Sequence, residues 1–290
     1  MRIRRLFAIS GAAMALAACA PSSLLNAFVP SDSYVLYEDV RYGEAERQAM
    51  DIYRPKDAPS AAPVVVYFYG GSWKGGSRET YRFMGEALAR AGFLVAIPDY
   101  RLYPEVRFPA FVEDGARAVR WISEHAREFG GDPERLVLMG HSAGAHIAAL
   151  LAFDERYLAR SGQPDLAIDG FVGLAGPYAF DPLAYRSTRP IFSHLADTDR
   201  ARPITFVNGE AFPVLLLHGA ADDTVLPKNS RALAARLRES GGRVELLEYD
   251  GTGHIGIVLS FAAPFRGRDS VYQDTIGFLE TLWGPSSGEG

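Results

Sequence analysis

Residues 136–151, Leu-Val-Leu-Met-Gly-His-Ser-Ala-Gly-Ala-His-Ile-Ala-Ala-Leu-Leu, constrain the chain more than any other stretch. A buried-strand run enters a sharp Gly-His-Ser-Ala-Gly turn and leaves it as a helix of small residues suited to close packing on a sheet. In the order strand, Gly-x-Ser-x-Gly, helix, the turn lifts a serine hydroxyl above the sheet edge while small neighbours avoid a clash. Ser142 is therefore the candidate nucleophile, and the rest of the chain must supply a base, an acid and an oxyanion hole.

The surrounding pattern predicts an open, mostly parallel, doubly wound α/β sheet. Val35 to Val40 and Gln48 to Tyr53 alternate in polarity around a Gly-Glu-Ala-Glu turn and predict an antiparallel hairpin opening the sheet. Pro63 to Tyr69 is a continuous apolar run, the mark of a strand covered on both faces. Helix from Arg78 to Ala91, strand from Phe93 to Pro98, helix from Pro109 to Phe129, and strands at Arg135–Met139 and Ile168–Ala175 follow. Strands separated by helices of this length pair in parallel through right-handed crossovers, and such sheets bind ligands at the carboxyl ends of their strands. Pro213 to Leu217 resumes the sheet, Lys228 to Ser240 is a helix, Val244 to Tyr249 the last strand, and Ser270 to Trp283 the terminal helix. Gly176 to Ala211 breaks the alternation with four prolines and several aromatics, and is expected to form a small cap over the site. The hydrolytic domain is expected to span residues 34–283, with 284–290 a tail. The 290-residue length of the whole chain favours one domain with an insertion over two.

The amino terminus has a separate logic. Met1 to Arg5 is positively charged, and Leu6 to Ala18 is apolar but too short to span a bilayer, as in a signal peptide. It ends in Leu-Ala-Ala-Cys, and Cys19 is the only cysteine of the chain. This resembles the lipobox of bacterial lipoproteins, which implies lipidation of Cys19, membrane attachment through several acyl chains, and a tether over residues 19–33. Ala20, standing where an Asp would retain such a protein at the inner membrane, implies the outer membrane and its periplasmic face. Losing the leader's three arginines takes the formal net charge from −5 to −8. No basic run is left to follow a phosphate backbone, so nucleic acid is not an expected partner.

The base is found by elimination among six histidines. His125 sits late in a helix and His194 in the cap; His141 is expected to point away from Ser142, and His146 to pack within the helix. His218 ends a strand and is expected to serve structural hydrogen bonding. His254 remains, in the glycine-rich loop Asp-Gly-Thr-Gly-His after the last strand, free of helix or sheet, and the order Ser, acid, His suits a hydrolase. The acid, which must accept the imidazole Nδ1–H and fix the tautomer, falls in His218-Gly-Ala-Ala-Asp-Asp-Thr-Val225; Asp222 and Asp223 are not separable by physics alone. Backbone N–H groups of Ala143 and of the Gly70-Gly71-Ser72 loop are the expected oxyanion donors. Trp73 either packs that loop or lines the acyl pocket.

From Tyr53 to Leu259 the chain resembles the α/β-hydrolase esterases, in the group of hormone-sensitive-lipase-like carboxylesterases, prenylcysteine methylesterases and kynurenine formamidases. The resemblance rests on Tyr69-Gly-Gly-Ser-Trp73, Asp99-Tyr-Arg-Leu102, Gly130-Gly-Asp-Pro133, Gly140-His-Ser-Ala-Gly-Ala-His146, His218-Gly-x-x-Asp222 and Gly253-His254. It implies Asp222 as the acid, and Gly71 and Ser72 as donors with Gly70 setting the turn. Tyr69 departs from the family, which usually carries a scaffold histidine there. The expected activity is hydrolysis of a small or medium carboxylic ester through an acyl-enzyme, without metal or organic cofactor, since there is no H-E-x-x-H, no paired cysteines and no dinucleotide loop. The alternatives are an arylformamidase using the same residues on an N-formyl amide, and a lipid-anchored binding protein that has lost turnover. Oligomeric state is not legible.

Overall fold

The central apolar runs pair as neighbouring strands of one sheet in the computed structural model, which describes residue 26 and residues 28–57, 61–209 and 211–283. The leader, Cys19, most of the tether and the 284–290 tail lie outside those residues. Strands β1 (Tyr34–Arg41) and β2 (Ala49–Pro55) form the expected antiparallel hairpin, followed by β3 (Ala62–Phe68), helix α1 (Arg82–Arg90), β4 (Leu94–Pro98) and α2 (Ala110–His125). Next come β5 (Gly131–His141), α3 (Ala143–Phe153), α4 (Arg156–Ser161), β6 (Gly170–Leu174), the single turn α5 (Arg189–Phe192) and β7 (Val214–Gly219). The chain closes with α6 (Lys228–Glu239), β8 (Val244–Tyr249), α7 (His254–Leu259) and α8 (Val271–Thr281). Strand order is β1-β2-β4-β3-β5-β6-β7-β8, parallel from β4 onward, with β2 antiparallel to β4. This is the α/β-hydrolase fold.

The register decides where chemistry can occur. Phe68, ending β3, pairs beside Gly140 of β5, and Gly140 pairs beside Gly173 of β6. The loops after β3 and β5 therefore leave the same sheet edge side by side, and the one after β7 leaves it two strands further on. Val64 to Phe68 and Leu136 to Met139 are buried, as both-face coverage requires.

Some expected boundaries move. The helix foreseen from Arg78 begins as a 3₁₀ turn over Arg78–Tyr81, and the one foreseen to Phe129 ends at His125 before a 3₁₀ turn, Ala126–Phe129. Gly130 then takes a left-handed φ of 79° and β5 starts at Gly131, four residues ahead of Arg135. Between Gly176 and Ala211 the chain folds as short turns at Arg189–Phe192, Thr198–Ala201 and Pro203–Phe206, and sinks Tyr178, Ile191, Phe192 and Ala201 into the core. No helix among the described residues is long and apolar enough to cross a membrane.

Candidate active site

Ser142 joins β5 to α3 with φ 55° and ψ −123°, a conformation that L-residues hold only when their surroundings enforce it. The surroundings are two glycines: a Cβ on Gly144 would lie 2.0 Å from the Phe68 carbonyl oxygen, and one on Gly140 2.5 Å from the Gly144 oxygen. Only bare backbone lets the turn press so closely on the end of β3. The Ser142 N–H donates to the Leu174 carbonyl at 2.9 Å, which fastens the turn to β6.

Ser142, His254 and Asp222 come together. The Ser142 Oγ lies 2.9 Å from His254 Nε2, and His254 Nδ1 lies 2.7 Å from Asp222 Oδ2. A carboxylate only accepts, so the proton between His254 and Asp222 belongs to Nδ1, leaving the Nε2 lone pair for the serine hydroxyl. Asp222 also accepts the backbone N–H groups of Thr224 and Val225, each at 2.9 Å. Burial would raise its pKa. The hydrogen bonds from His218 and His254, the charge of His254 and the Val225 amide outweigh burial and hold the carboxyl well below the usual carboxylate range. Asp223 is exposed, its carboxylate reached by the Thr224 hydroxyl at 3.5 Å.

Two expectations about histidines need correction. His254 is the first residue of α7, so it is not free of helix, and the extended Gly253 before it stands at the N-cap of that helix. His141 does not point away: its ring lies 4.8 Å from the His254 ring, and its Nε2 is 3.1 Å from the His254 carbonyl oxygen, to which it donates. Burial, with His254 close by, pushes its pKa down to about 3, so it stands neutral there. What holds the ring there is His254, 113 positions further along the chain, a partner that the sharp turn alone does not disclose.

His218 is buried between the Ser230 hydroxyl and the Val225 carbonyl, each at 2.7 Å from a ring nitrogen, and its Nε2 comes within 3.3 Å of Asp222 Oδ2. Structural hydrogen bonding is its place in the fold, as expected, with the added contact to the acid. His146 donates Nε2–H to the Ala201 carbonyl and packs edge-on against Trp73, tying α3 to the 176–211 stretch. His194 reaches the Phe108 carbonyl and His125 lies on Trp121, both away from the serine.

A cavity of about 150 Å³ opens at Ser142, walled by Ser72, Trp73, Ala143, Phe180 and Thr188, among others. Trp73 thus both packs and lines: it is 3% exposed and stacks between Phe111 and Phe180. Gly71, directly before the lining residue Ser72, has φ 136° and a Cβ position 2.1 Å from the Gly75 oxygen, so only glycine lets the loop fold this tightly. Gly70 abuts the nucleophile turn, where a Cβ would meet Ser142 Cβ at 3.0 Å. Behind the loop lies a cluster that spacing did not reveal, made of Arg47, Tyr69, Arg78 and Asp99.

The sheet order and the Ser142 turn define a member of the α/β-hydrolase superfamily. A family model described as BD-FAE matches residues 50–237, and the chain belongs to that family. It is similar to "Probable isoprenylcysteine alpha-carbonyl methylesterase ICME" of Oryza sativa subsp. japonica, 30% identical over 261 residues, 83% of this chain and 63% of that one. It is also similar to "Esterase LipC" of Mycobacterium tuberculosis, 33% identical over 245 residues, 76% of this chain and 60% of the relative. The chain spans about six-tenths of the length of such relatives. Among solved structures, an inhibited esterase B from Lactobacillus rhamnosis superposes with a TM-score of 0.79 at 20% identity, covering 93% of this chain and 94% of its own. Esterase 2 of Thermogutta terrifontis gives 0.71 at 23% identity, covering 89% and 96%. At those identities the likeness is one of fold.

Proposed function

We propose that the chain is a carboxylic-ester hydrolase acting through an acyl-enzyme on Ser142. One observation carries the reading: a single hydrogen-bonded line from Ser142 Oγ through His254 to Asp222, with separations of 2.9 and 2.7 Å. As Oγ bonds to the ester carbonyl carbon, its proton passes to His254 Nε2, and the carbonyl oxygen becomes an alkoxide held by the N–H groups of Gly71, Ser72 and Ala143. Asp222 stabilises the imidazolium through Nδ1. The alkoxide collapses, the alcohol leaves with the proton from Nε2, and water repeats the cycle on the acyl-Ser142 ester to release the acid. Each oxyanion donor contributes about 3–4 kcal/mol in the transition state.

The cavity of about 150 Å³ suits a small ester group at the serine. Relatives named as esterases and methylesterases support ester over amide. Turnover of a chain-length series of p-nitrophenyl esters beside N-formylkynurenine tests this. Ester hydrolysis well above formamide hydrolysis is expected, and the reverse order would replace the reading with an arylformamidase.

The chain is also proposed to be a lipoprotein of the bacterial cell envelope, anchored through Cys19. In a bacterial host Cys19→Ser should block incorporation of a labelled fatty acid. A mature protein beginning elsewhere with an unmodified residue would refute the anchor and leave the hydrolase reading standing.

A further inference from the structure

The oxyanion loop leaves β3 at Tyr69 and re-enters regular structure at Arg78, and both ends are tied to one buried carboxylate. The Tyr69 hydroxyl donates to Asp99 Oδ1 at 2.5 Å; the Arg78 backbone N–H donates to the same oxygen at 2.9 Å, and its guanidinium to Oδ2 at 2.5 Å. A second link crosses the loop. Arg47 Nη2 donates to the Tyr69 hydroxyl at 2.7 Å and to the Gly76 carbonyl at 2.8 Å, while its Nε donates to the Tyr100 carbonyl. The Tyr100 hydroxyl in turn donates to the Tyr69 carbonyl at 2.8 Å, which fixes the plane of the peptide leading into Gly70.

The Tyr69 ring has no freedom of its own. It is fully buried and stacks between Tyr81, centroids 5.3 Å apart, and Tyr100, 4.9 Å. On the loop side a Cβ at Gly76 would meet the Cδ2–Cε2 edge of that ring at 2.8 Å, so the returning backbone packs against the ring's edge. Its hydroxyl is both donor to Asp99 and acceptor from Arg47, and burial raises its pKa well above the ordinary tyrosine value, which keeps the donor proton in place. Between the two tied ends lie Gly71, Ser72 and Trp73, all at positive φ, a backbone that needs such restraint to persist.

We infer that Tyr69 is a positioning residue: through the bridge Asp99–Tyr69–Arg47 it holds the 70–76 loop so that the Gly71 and Ser72 N–H groups are aimed before substrate arrives. This rests on the hydrolase reading above. Preorganised donors act on the transition state more than on bound substrate, so a loosened loop should lower kcat and spare KM. Losing one donor outright costs about 10²–10³ in kcat, and a misaimed one costs a part of that.

The test uses Tyr69→Phe, which keeps the stacked ring and removes the bridge. Arg47→Met, at a part-exposed side chain, cuts the link to Gly76 from the other side and serves if the first variant fails to fold. Readouts are kcat and KM on p-nitrophenyl acetate, affinity for an arylboronic acid, whose tetrahedral adduct on a serine mimics the transition state, and melting temperature. The expected result is kcat lower by about 10-fold to 100-fold, KM within about twofold, and boronate affinity weakened in step with kcat. Wild-type kcat and boronate affinity in a folded variant would overturn the inference, as would a KM rise matching the kcat loss alongside a collapsed melting temperature, which marks general loosening. A wild type that neither hydrolyses esters nor takes a fluorophosphonate on Ser142 would overturn the hydrolase reading itself, and the inference with it.

Discussion

Asp222 Oδ2 lies 2.7 Å from His254 Nδ1, whereas Asp223, the next residue, faces solvent. The two carboxylates are equivalent in composition and opposite in burial. Asp222→Asn should lower kcat by up to about 10⁴, because an amide in its place favours the wrong imidazole tautomer. Asp223→Asn should leave kcat within about twofold. Equal losses from the two substitutions, measured on one p-nitrophenyl ester, would show that the acid is misassigned.

The aromatic wall of the cavity should set chain-length preference. Phe180 stacks on Trp73 at 5.9 Å between centroids and lines the space above Ser142. Phe180→Ala should move the optimum in kcat/KM toward longer acyl chains, since each newly accommodated methylene contributes about 0.8 kcal/mol. An unchanged chain-length profile would remove Phe180 from the pocket. Point substitution is preferable to excising residues 176–211, because Tyr178, Ile191 and Phe192 of that stretch are fully buried and their loss would open the core.

Two buried histidines should make the fold acid-sensitive above the range where carboxylates titrate. Burial lowers the pKa of His146 to about 4 and that of His141 to about 3, against about 6.5 in an unfolded chain. Between those values the unfolded state binds the proton and the folded state does not. The stability they lend is complete above about pH 6.5 and drains away as pH falls toward 4, by at most about 1.4 kcal/mol per pH unit for each ring. Denaturant unfolding between pH 7 and 4.5 should show the loss, and His146→Gln should flatten the slope even while lowering stability at pH 7. An unaltered slope would mean that His146 is already protonated in the fold.

How much of this was legible follows from how far each signal reaches along the chain. Apolar runs and their spacing disclose Val64–Phe68, Val244–Tyr249 and the strand-turn-helix at Ser142, because those features are local and each residue's neighbours enforce the same choice. Six-residue helices such as Arg156–Ser161 and His254–Leu259 are too short for periodicity to register, and neither has a side-chain cap to announce it. Hence His254 looked like a loop residue. The direction of His141 follows from its contacts with His254, 113 positions away, which no local pattern carries. The Arg47–Tyr69–Asp99 cluster joins residues 22 and 30 positions apart, with no fixed spacing to search for. Its one trace was Asp99 itself, an acidic residue directly after the wholly buried strand Leu94–Pro98, which needed a partner somewhere.

Whether Ser142 is the acylated residue is decided by intact-mass and peptide analysis after fluorophosphonate treatment. One adduct is expected, on Ser142, with loss of esterase activity in proportion to labelling, and none in Ser142→Ala, which should fold normally and hydrolyse esters at least about 10⁴-fold more slowly. Labelling at another serine, or near-normal turnover by a folded Ser142→Ala protein, would contradict it.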